Sequence, residues 1–243
     1  MNKPPKDTLY QTQQLTAPFQ FDDKVAAVFP DMIQRSVPGY GHIIHGIEKL
    51  SAQFVTDNSD CYDLGCSLGA ASLAMSRGIK ASQCRIFAID NSAAMLERCQ
   101  LFIDAYKHQT PIELKLADLQ DYPMDNAAMV VINFTLQFIP LAQRAAILSK
   151  VYAAMKPGGL LVLSEKVTGS NDRVNNTLIK LHHDFKRDNG YSELEIAQKR
   201  NALENVLIPE TELSHQQRLH ECGFSAVETW FKHFNFCSLM AII

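Results

Sequence analysis

The sequence predicts an α/β protein with a doubly wound, mostly parallel sheet of seven strands, an antiparallel C-terminal hairpin and added helices. Between residues 61 and 164, short apolar runs typical of buried strands alternate with stretches of helical periodicity. Such alternation requires right-handed crossovers and therefore a parallel sheet. The last two apolar runs, at residues 227–231 and 236–243, are separated by a turn alone and predict the hairpin.

The bulk composition limits the possible classes of protein. The chain has 243 residues, of which 47% are hydrophobic and 20% are charged, as in one ordinary globular domain. Residues 1–20 are expected to form a flexible tail and residues 21–243 a single domain. No apolar run approaches the roughly 18 residues of a membrane span, and the N-terminus lacks the apolar core of a signal peptide. These features predict a cytoplasmic protein that does not bind membranes.

Charge and cysteine content bear on the partners and the cellular compartment of the protein. The formal net charge is −3, whereas a protein that grips nucleic-acid phosphates usually shows a basic excess. Direct binding of nucleic acid is therefore not expected. The six cysteines form no C-x-x-C pair, and several fall on predicted buried strands or helices. We expect reduced, structural cysteines in a cytoplasm.

Helices are predicted before the first strand. Residues 21–29 show helical periodicity, and Pro30 is expected to end this helix. A further turn of helix precedes the turn at Pro38-Gly39. Residues 43–54 repeat Ile and Leu at helical spacing and predict a helix that packs on the sheet. Tyr40 precedes this helix, where its ring either closes over a ligand or packs at the rim of the domain.

Alternating strands and helices then follow in order. Residues 156–159, Lys-Pro-Gly-Gly, predict the end of the last of these helices and a turn. The strands are predicted at residues 61–64, 85–89, 112–116, 129–133 and 160–164, and the helices at residues 70–79, 93–106 and 142–155.

The glycine turn at residues 65–69 allows three interpretations. The dinucleotide motif G-x-G-x-x-G fits only in part, because Ser67 and Ala70 replace two glycines. The nucleophile elbow G-x-S-x-G fits at every position. An elbow usually has several strands before it, however, whereas here only helices are predicted before the turn and its strand. The loop of S-adenosylmethionine-binding folds, acidic-x-G-x-G-x-G with small-residue variants, also explains Asp63. We favour this third interpretation.

Polar residues follow the predicted strands, at the edge where doubly wound sheets bind ligands. Asp90 lies 21 residues after Gly69, where nucleoside-binding folds place an acid that accepts both ribose hydroxyls. Asp118 is placed to accept a hydrogen bond from an adenine amino group. A dinucleotide would also use Asp90, but its pyrophosphate needs the glycine that Ser67 replaces. The polar strand-end residues are Asp63, Asp90, Asn91, Asp118 and Asn133.

A helical insertion is predicted at about residues 167–222. Its first helix ends at Asn189-Gly190, and the sequence Ser192-x-x-Glu195 is a capping box that starts the next. A further helix at residues 211–222 ends at Gly223. The pair His182-His183 could in principle indicate a metal-binding site. Adjacent histidines on a helix point about 100° apart, however, and do not easily bind the same ion. No metal is expected.

Several stretches together carry a resemblance to a known family. They are residues 28–40 (VFPDMIQRSVPGY), 62–71 (YDLGCSLGAA), 133–138 (NFTLQF), 163–166 (LSEK) and 182–195 (HHDFKRDNGYSELE). The chain from about residue 21 to residue 242 resembles the carboxy-S-adenosyl-L-methionine synthases, bacterial relatives of the Rossmann-type methyltransferases. The stretches at residues 28–40 and 190–195 are the specific ones, since many methyltransferases share the glycine turn.

The resemblance implies a function. Members of the family add a carboxyl group to the methyl group of S-adenosyl-L-methionine, with prephenate as carboxyl donor and phenylpyruvate as by-product. A tRNA carboxymethyltransferase then uses the product, carboxy-S-adenosyl-L-methionine, to modify a wobble uridine. The family also suggests a homodimer.

The resemblance also implies site residues. Arg200 corresponds to the arginine that grips the new carboxylate, although periodicity alone makes it a solvated charge on a helix. With Tyr40 it is expected to act in catalysis. The residues implied at the S-adenosylmethionine site, besides Arg200, are Tyr40, Gly65, Cys66, Ser67, Asp90, Asn91, Asp118, Leu119 and Asn133.

Three other functions stay open on the sequence alone. The first is an ordinary S-adenosylmethionine-dependent methyltransferase that acts on a small molecule. The second is a non-catalytic module that carries the carboxylated compound to the tRNA enzyme. The third is an α/β-hydrolase with Ser67 as nucleophile.

Overall fold

A mixed sheet forms the centre of the computed structural model, which describes residues 5–12, 19–107 and 109–243. The strands are β1 (Asp60–Leu64), β2 (Arg85–Asp90), β3 (Ile112–Leu116), β4 (Ala127–Asn133), β5 (Met155–Thr168), β6 (Glu210–Thr211), β7 (Ala226–His233) and β8 (Phe236–Ile242). Their order is β3-β2-β1-β4-β5-β8-β7, with β6 paired to β5 off this path. Strands β1 to β5 are parallel, and β7 and β8 are antiparallel. The predicted doubly wound, seven-stranded path with its C-terminal hairpin is therefore confirmed.

Helices cover both faces of this sheet. Their bounds are α1 (Asp23–Ser36), α2 (Tyr40–Phe54), α3 (Ala70–Gly78), α4 (Ala93–Ala105), α5 (Leu141–Ala154), α6 (Asp172–Asp188), α7 (Glu193–Leu203) and α8 (Glu212–Glu221), with a 3₁₀ turn at Leu136–Phe138. Helices α2 and α3 pack on one face through side chains such as Ile47 and Met75, and α5 and α8 on the other through Leu148 and Leu219. Because both faces are covered, every residue of β1 and all but the last residue of β4 are buried.

The sequence prediction for the first helix is wrong at its end. Pro30 lies inside α1, which continues to Ser36. A proline inside a helix removes one backbone hydrogen bond. The helix continues because its last turns are held from outside: Met32 is buried, and Arg35 Nε donates a hydrogen bond to the carbonyl oxygen of Asn189 at 2.7 Å.

The turn predicted at residues 156–159 is also different. These residues belong to β5, which begins at Met155 and pairs there with Ala127 of β4. The glycine conformation that indicated a turn is present, since Gly158 has φ +75°, and it lies at a register shift between β4 and β5. An irregular stretch of strand thus replaces the predicted loop.

The N-terminal segment is not a free tail over residues 5–12. Asp7 is 1% exposed, and its side chain accepts a hydrogen bond from the hydroxyl of Tyr191. Its backbone N–H donates to Asp31 Oδ2 at 2.7 Å. Gln198 donates to the carbonyl of Tyr10. Residues 1–4 and 13–18, which the flexible-tail prediction also covers, lie outside the described residues.

No helix in residues 5–12, 19–107 and 109–243 combines the length and the apolarity that a membrane span requires. All six cysteines are unpaired, and five of them are buried, as predicted.

Candidate active site

A cavity of about 360 Å³ opens at the carboxyl ends of strands β1 to β5. This is the edge of the sheet where the topology predicts a ligand site. The cavity brings together nine of the ten site residues predicted from the sequence: Tyr40, Gly65, Cys66, Ser67, Asp90, Asn91, Asp118, Leu119 and Asn133.

Asp90 is held rigidly at the end of β2. Its Oδ2 accepts a hydrogen bond from the backbone N–H of Ser67 at 2.8 Å, and its Oδ1 accepts one from Ser92 at 2.9 Å. Burial raises the pKa of Asp90, and these backbone hydrogen bonds act in the opposite direction. Each carboxylate oxygen has a second lone-pair site, so the fixed side chain can still accept two donors from a diol.

The side chain of Asp63 holds the glycine turn in place. Its Oδ2 accepts hydrogen bonds from the backbone N–H and the hydroxyl of Ser72, at 2.9 and 2.6 Å, in the first turn of α3. Burial raises the pKa of Asp63 to about 6. An anionic carboxylate near the N-terminus of a helix is favourable. Asp63 therefore fixes the start of α3 and, with it, the glycine turn.

Position 65 requires a glycine for two reasons, the conformation of its backbone and the closeness of a neighbouring side chain. Its φ is +79°, a region that residues with a Cβ avoid. A Cβ at this position would lie 2.3 Å from Thr135 Cγ2, which is closer than atoms can pack. The absence of a side chain at Gly65 therefore leaves room for the segment after β4 as well as for a ligand.

Replacing Gly65 with alanine is expected to lower the free energy of unfolding by at least about 2 kcal/mol, because the left-handed backbone alone costs roughly 1–2 kcal/mol and the clash with Thr135 adds to it. Chemical denaturation measures this change. Gly158→Ala is the matched control, since Gly158 has φ +75° but no atom within 4 Å of an added Cβ. Equal losses in the two variants would show that the Thr135 contact is unimportant.

Tyr40 and Asn133 border the centre of the cavity. Tyr40 is the first residue of α2, and its ring lies 6.4 Å from the ring of Phe134. Burial, and then the negative charge of Asp63, raise the pKa of the Tyr40 hydroxyl, so it is a donor and not an anion at neutral pH. Asn133 Oδ1 is buried and has no hydrogen-bond partner among the described residues. Buried polar atoms are normally satisfied, so this oxygen is suited to a donor on a ligand.

Asp118 and Leu119 follow β3 at the far edge of the cavity. Asp118 Oδ1 accepts a hydrogen bond from the backbone N–H of Gln120 at 3.0 Å, which fixes the turn. Leu119 is buried in the core below it. The carboxylate of Asp118 suits the polar edge of a nucleoside base, and the apolar side chain of Leu119 suits the flat face of that base.

Arg200 lies elsewhere. It is exposed on α7, and among the described residues of this single chain it is not part of the cavity wall. The preceding residue, Lys199, is buried and does line the cavity. The role that the resemblance implies for Arg200 stays a prediction.

Basic residues that the sequence analysis did not assign to the ligand site line the other end of the cavity. They are Lys166 of β5, His182 and Lys186 of α6, and Lys199 of α7. Burial lowers the pKa of Lys186 to about 7 and that of Lys199 to about 8, and it also lowers the pKa of Lys166. One signal does exist in the sequence: Lys186 lies four residues after His182, on the apolar face of α6.

The described residues give no support to the two other chemistries that the sequence suggested. His182 Nε2 lies 2.8 Å from the carbonyl oxygen of Ser36, and burial keeps its pKa far below the ordinary value. No group of three or more His, Cys, Asp or Glu side chains suited to a metal occurs in the described ranges. The hydroxyl of Ser67 contacts Met95 Sδ at 3.6 Å and makes no hydrogen bond to a described histidine.

Comparisons with known proteins agree with this architecture. Residues 62–159 match the model of a methyltransferase domain family. The structure of magnesium protoporphyrin IX methyltransferase from Synechocystis, solved with bound S-adenosylmethionine, superposes with a TM-score of 0.56 at 15% identity, over 87% of this chain and 84% of that one. At this identity the likeness shows the fold alone.

Relatives of known name are much closer in sequence. Carboxy-S-adenosyl-L-methionine synthase from Pseudoalteromonas translucida is 52% identical over 98% of each chain. The protein of the same name from Vibrio cholerae is 54% identical over 98% of this chain and 97% of its own length. On this evidence the chain belongs to the carboxy-S-adenosyl-L-methionine synthase family, a group of enzymes built on the methyltransferase domain.

Proposed function

We propose that this protein converts S-adenosyl-L-methionine to carboxy-S-adenosyl-L-methionine, with prephenate as the carboxyl donor and with release of phenylpyruvate and water. The observation that carries the proposal is the division of charge in one cavity. Carboxylates that follow β2 and β3 suit the hydroxyl and amino groups of a nucleoside, and lysines at the β5 end suit an anionic second substrate. The names of the close relatives support the same product.

The reaction balances without a metal or a redox cofactor. Prephenate aromatises to phenylpyruvate by losing CO2 and hydroxide. The hydroxide takes a proton from the methyl group beside the sulfonium, which forms water and an ylide. The ylide carbon then bonds to the CO2 carbon and gives the carboxymethyl sulfonium. The protein's part is to hold both substrates and to exclude water until CO2 is captured.

The cavity residues suit these tasks. Asp90 and Asp118 are fixed by backbone hydrogen bonds and would hold the ribose and the adenine. Asn133 Oδ1 offers an unused acceptor beside them. Aromatic rings enclose the space and would keep bulk water away; they include Phe21, Phe134, Phe138 and Phe236.

Incubation of the protein with S-adenosylmethionine and prephenate tests the proposal. Mass spectrometry should show a nucleoside heavier than S-adenosylmethionine by one molecule of CO2, together with an equal amount of phenylpyruvate. Unchanged S-adenosylmethionine would contradict the proposal and favour an ordinary methyltransferase acting on another small molecule. Product in excess of the protein concentration would exclude a mere carrier.

The fate of the product belongs to the same proposal. We infer that a separate tRNA carboxymethyltransferase uses it to modify a wobble uridine, and that this protein itself does not touch the RNA. The net charge of −3 supports this division of work, since no basic excess is available to hold phosphates. We also propose that the protein is a homodimer and acts in the cytoplasm.

Arg200→Ala is expected to weaken binding of carboxy-S-adenosylmethionine by at least about tenfold, because a hydrogen bond to a charged group contributes roughly 1.5–3 kcal/mol. Binding of S-adenosylmethionine itself should change little. Calorimetric titration of both compounds measures the two affinities. Equal losses for the two ligands would contradict the role of Arg200, and Arg187→Ala, which also replaces an arginine that lies outside the cavity wall, is the control.

A further inference from the structure

We propose that Lys166, Lys186 and Lys199 form a dianion subsite that holds the two carboxylates of the carboxyl donor beside the reacting sulfonium. The inference rests on the proposed function, and it assigns residues that neither the family resemblance nor the relatives' names specify. All three lysines line the cavity that also holds Asp90 and Asp118.

Sheet order separates the two ends of the cavity. Asp90 ends β2, whereas Lys166 lies near the end of β5, and the strand order between them is β2-β1-β4-β5. Three strand spacings of about 4.8 Å place the two residues' strands roughly 14 Å apart. A nucleoside bound at β2 and β3 therefore extends toward the lysines with its sulfonium end. An anion held there would meet that end and not the adenine.

Buried charges are normally paired, but Lys186 has no carboxylate partner among the described residues and Lys199 has only a distant one. Lys186 is 7% exposed, and no carboxylate among the described residues lies within 4 Å of its Nζ. Lys199 is 6% exposed and has the hydroxyl of Ser36 at 3.1 Å, with Asp7 Oδ2 at a longer 3.8 Å. Asp31 also acts on Lys199, but its charge is balanced by an ion pair with Arg35. When all three amines are protonated, Asp7 therefore leaves two positive charges uncompensated.

The electrostatic cost of this arrangement points to a ligand. Burial lowers the pKa of Lys186 and of Lys199, and the charges of Lys199 and Lys166 lower that of Lys186 further. Fold stability alone would favour neutral side chains here. A dicarboxylate would supply the two missing negative charges and would raise these pKa values again on binding.

The surrounding wall suits a ring between the two carboxylates. Phe236 lies edge-on against His182 at 4.8 Å and against Phe134 at 5.9 Å, and all three side chains line the cavity. Burial keeps His182 neutral, so it adds no charge to the lysine cluster. The subsite therefore fits a cyclic dicarboxylate better than a small inorganic anion.

Lys186→Gln and Lys199→Gln test the subsite. Each change should raise the KM for prephenate by roughly 10- to 100-fold, the range expected for losing a hydrogen bond to a charged group. The dissociation constant for S-adenosylmethionine should stay within about threefold, a difference below 1 kcal/mol. Lys180→Gln is the matched control, because Lys180 is exposed on the same helix α6. It should leave both constants unchanged.

Thermal unfolding separates binding from a structural role. Removing an uncompensated buried charge should keep or raise the Tm of the Lys186→Gln variant. A lower Tm accompanied by weaker S-adenosylmethionine binding would instead show that Lys186 supports the fold, and would overturn the proposal. Equal losses for prephenate and for S-adenosylmethionine would also overturn it, because the anion would then be the methionine carboxylate.

Direct titration of prephenate by calorimetry distinguishes this inference from the proposed function. A wild-type protein that forms no carboxylated product, yet binds prephenate with an affinity that Lys186→Gln reduces, would refute the proposed reaction and keep the subsite. A wild-type protein that forms product, with lysine variants of unchanged KM and affinity, would refute the subsite and keep the reaction. Absence of prephenate binding in the wild type would refute the subsite.

Discussion

Replacing Asp90 with alanine is expected to weaken the binding of S-adenosylmethionine by about a hundredfold or more. Two hydrogen bonds from ribose hydroxyls to a carboxylate contribute roughly 1.5–3 kcal/mol each, and every 1.4 kcal/mol is about a factor of ten. The change also removes the acceptor of the Ser67 and Ser92 backbone N–H groups, which loosens the glycine turn. Isothermal titration measures the affinity.

Two variants give this experiment its controls. Asp121→Ala removes an exposed carboxylate near the same edge of the sheet and should leave the affinity unchanged. Asp90→Asn keeps the shape and one acceptor oxygen, so we expect an intermediate loss of about tenfold, equal to one lost charge-assisted hydrogen bond. An Asp90→Ala protein that folds normally and binds within threefold of the wild type would show that β2 does not hold the ribose.

Replacing Arg144 with methionine is expected to lower the free energy of unfolding by about 3–5 kcal/mol, the cost of breaking a buried ion pair on one side. Arg144 is fully buried in α5 and pairs with Glu210 at 2.6 Å. It also donates to the carbonyl oxygens of Ile139, Gln137 and Ile208. Methionine fills a similar space but leaves these acceptors unpaired. Chemical denaturation measures the change.

Arg218→Met is the matched control for this prediction. Arg218 pairs with the other carboxylate oxygen of Glu210, but its side chain is 15% exposed and its loss leaves the Arg144 pair intact. We expect a loss of about 1 kcal/mol, as for a partly exposed pair. Because Gln137 and Ile139 line the cavity, Arg144→Met should also weaken ligand binding. Equal losses in the two variants would contradict the importance of burial.

The sheet is predictable from the sequence because its signals are local. Each parallel strand is an apolar run followed by a polar residue, and the order of such runs fixes which residues meet at one edge. This is why the sequence alone predicts that Asp90, Asp118 and Asn133 lie along one edge of the sheet. The two-residue strand β6 carries no such pattern, and its pairing with β5 depends on the tertiary structure alone.

The cationic end of the cavity is not predictable in the same way. Lys166, Lys186 and Lys199 lie on three separate elements, and a lysine on a helix is normally solvated. Only the packing of α6 and α7 against the end of α1, together with the position of Lys166 at the end of β5, brings them together. Similarly, Pro30 is a sound signal for a helix end, and only the buried Met32 and the hydrogen bond from Arg35 to Asn189 show why α1 continues.

The mass of the nucleoside that accompanies the purified protein tests the central claim most directly. The claim is that the acidic strand ends hold a sulfonium nucleoside and that the protein carboxylates it. Protein isolated from cells and then denatured should release a compound heavier than S-adenosylmethionine by one CO2. Release of no nucleoside, with no measurable affinity for S-adenosylmethionine or its carboxylated form, would contradict the claim.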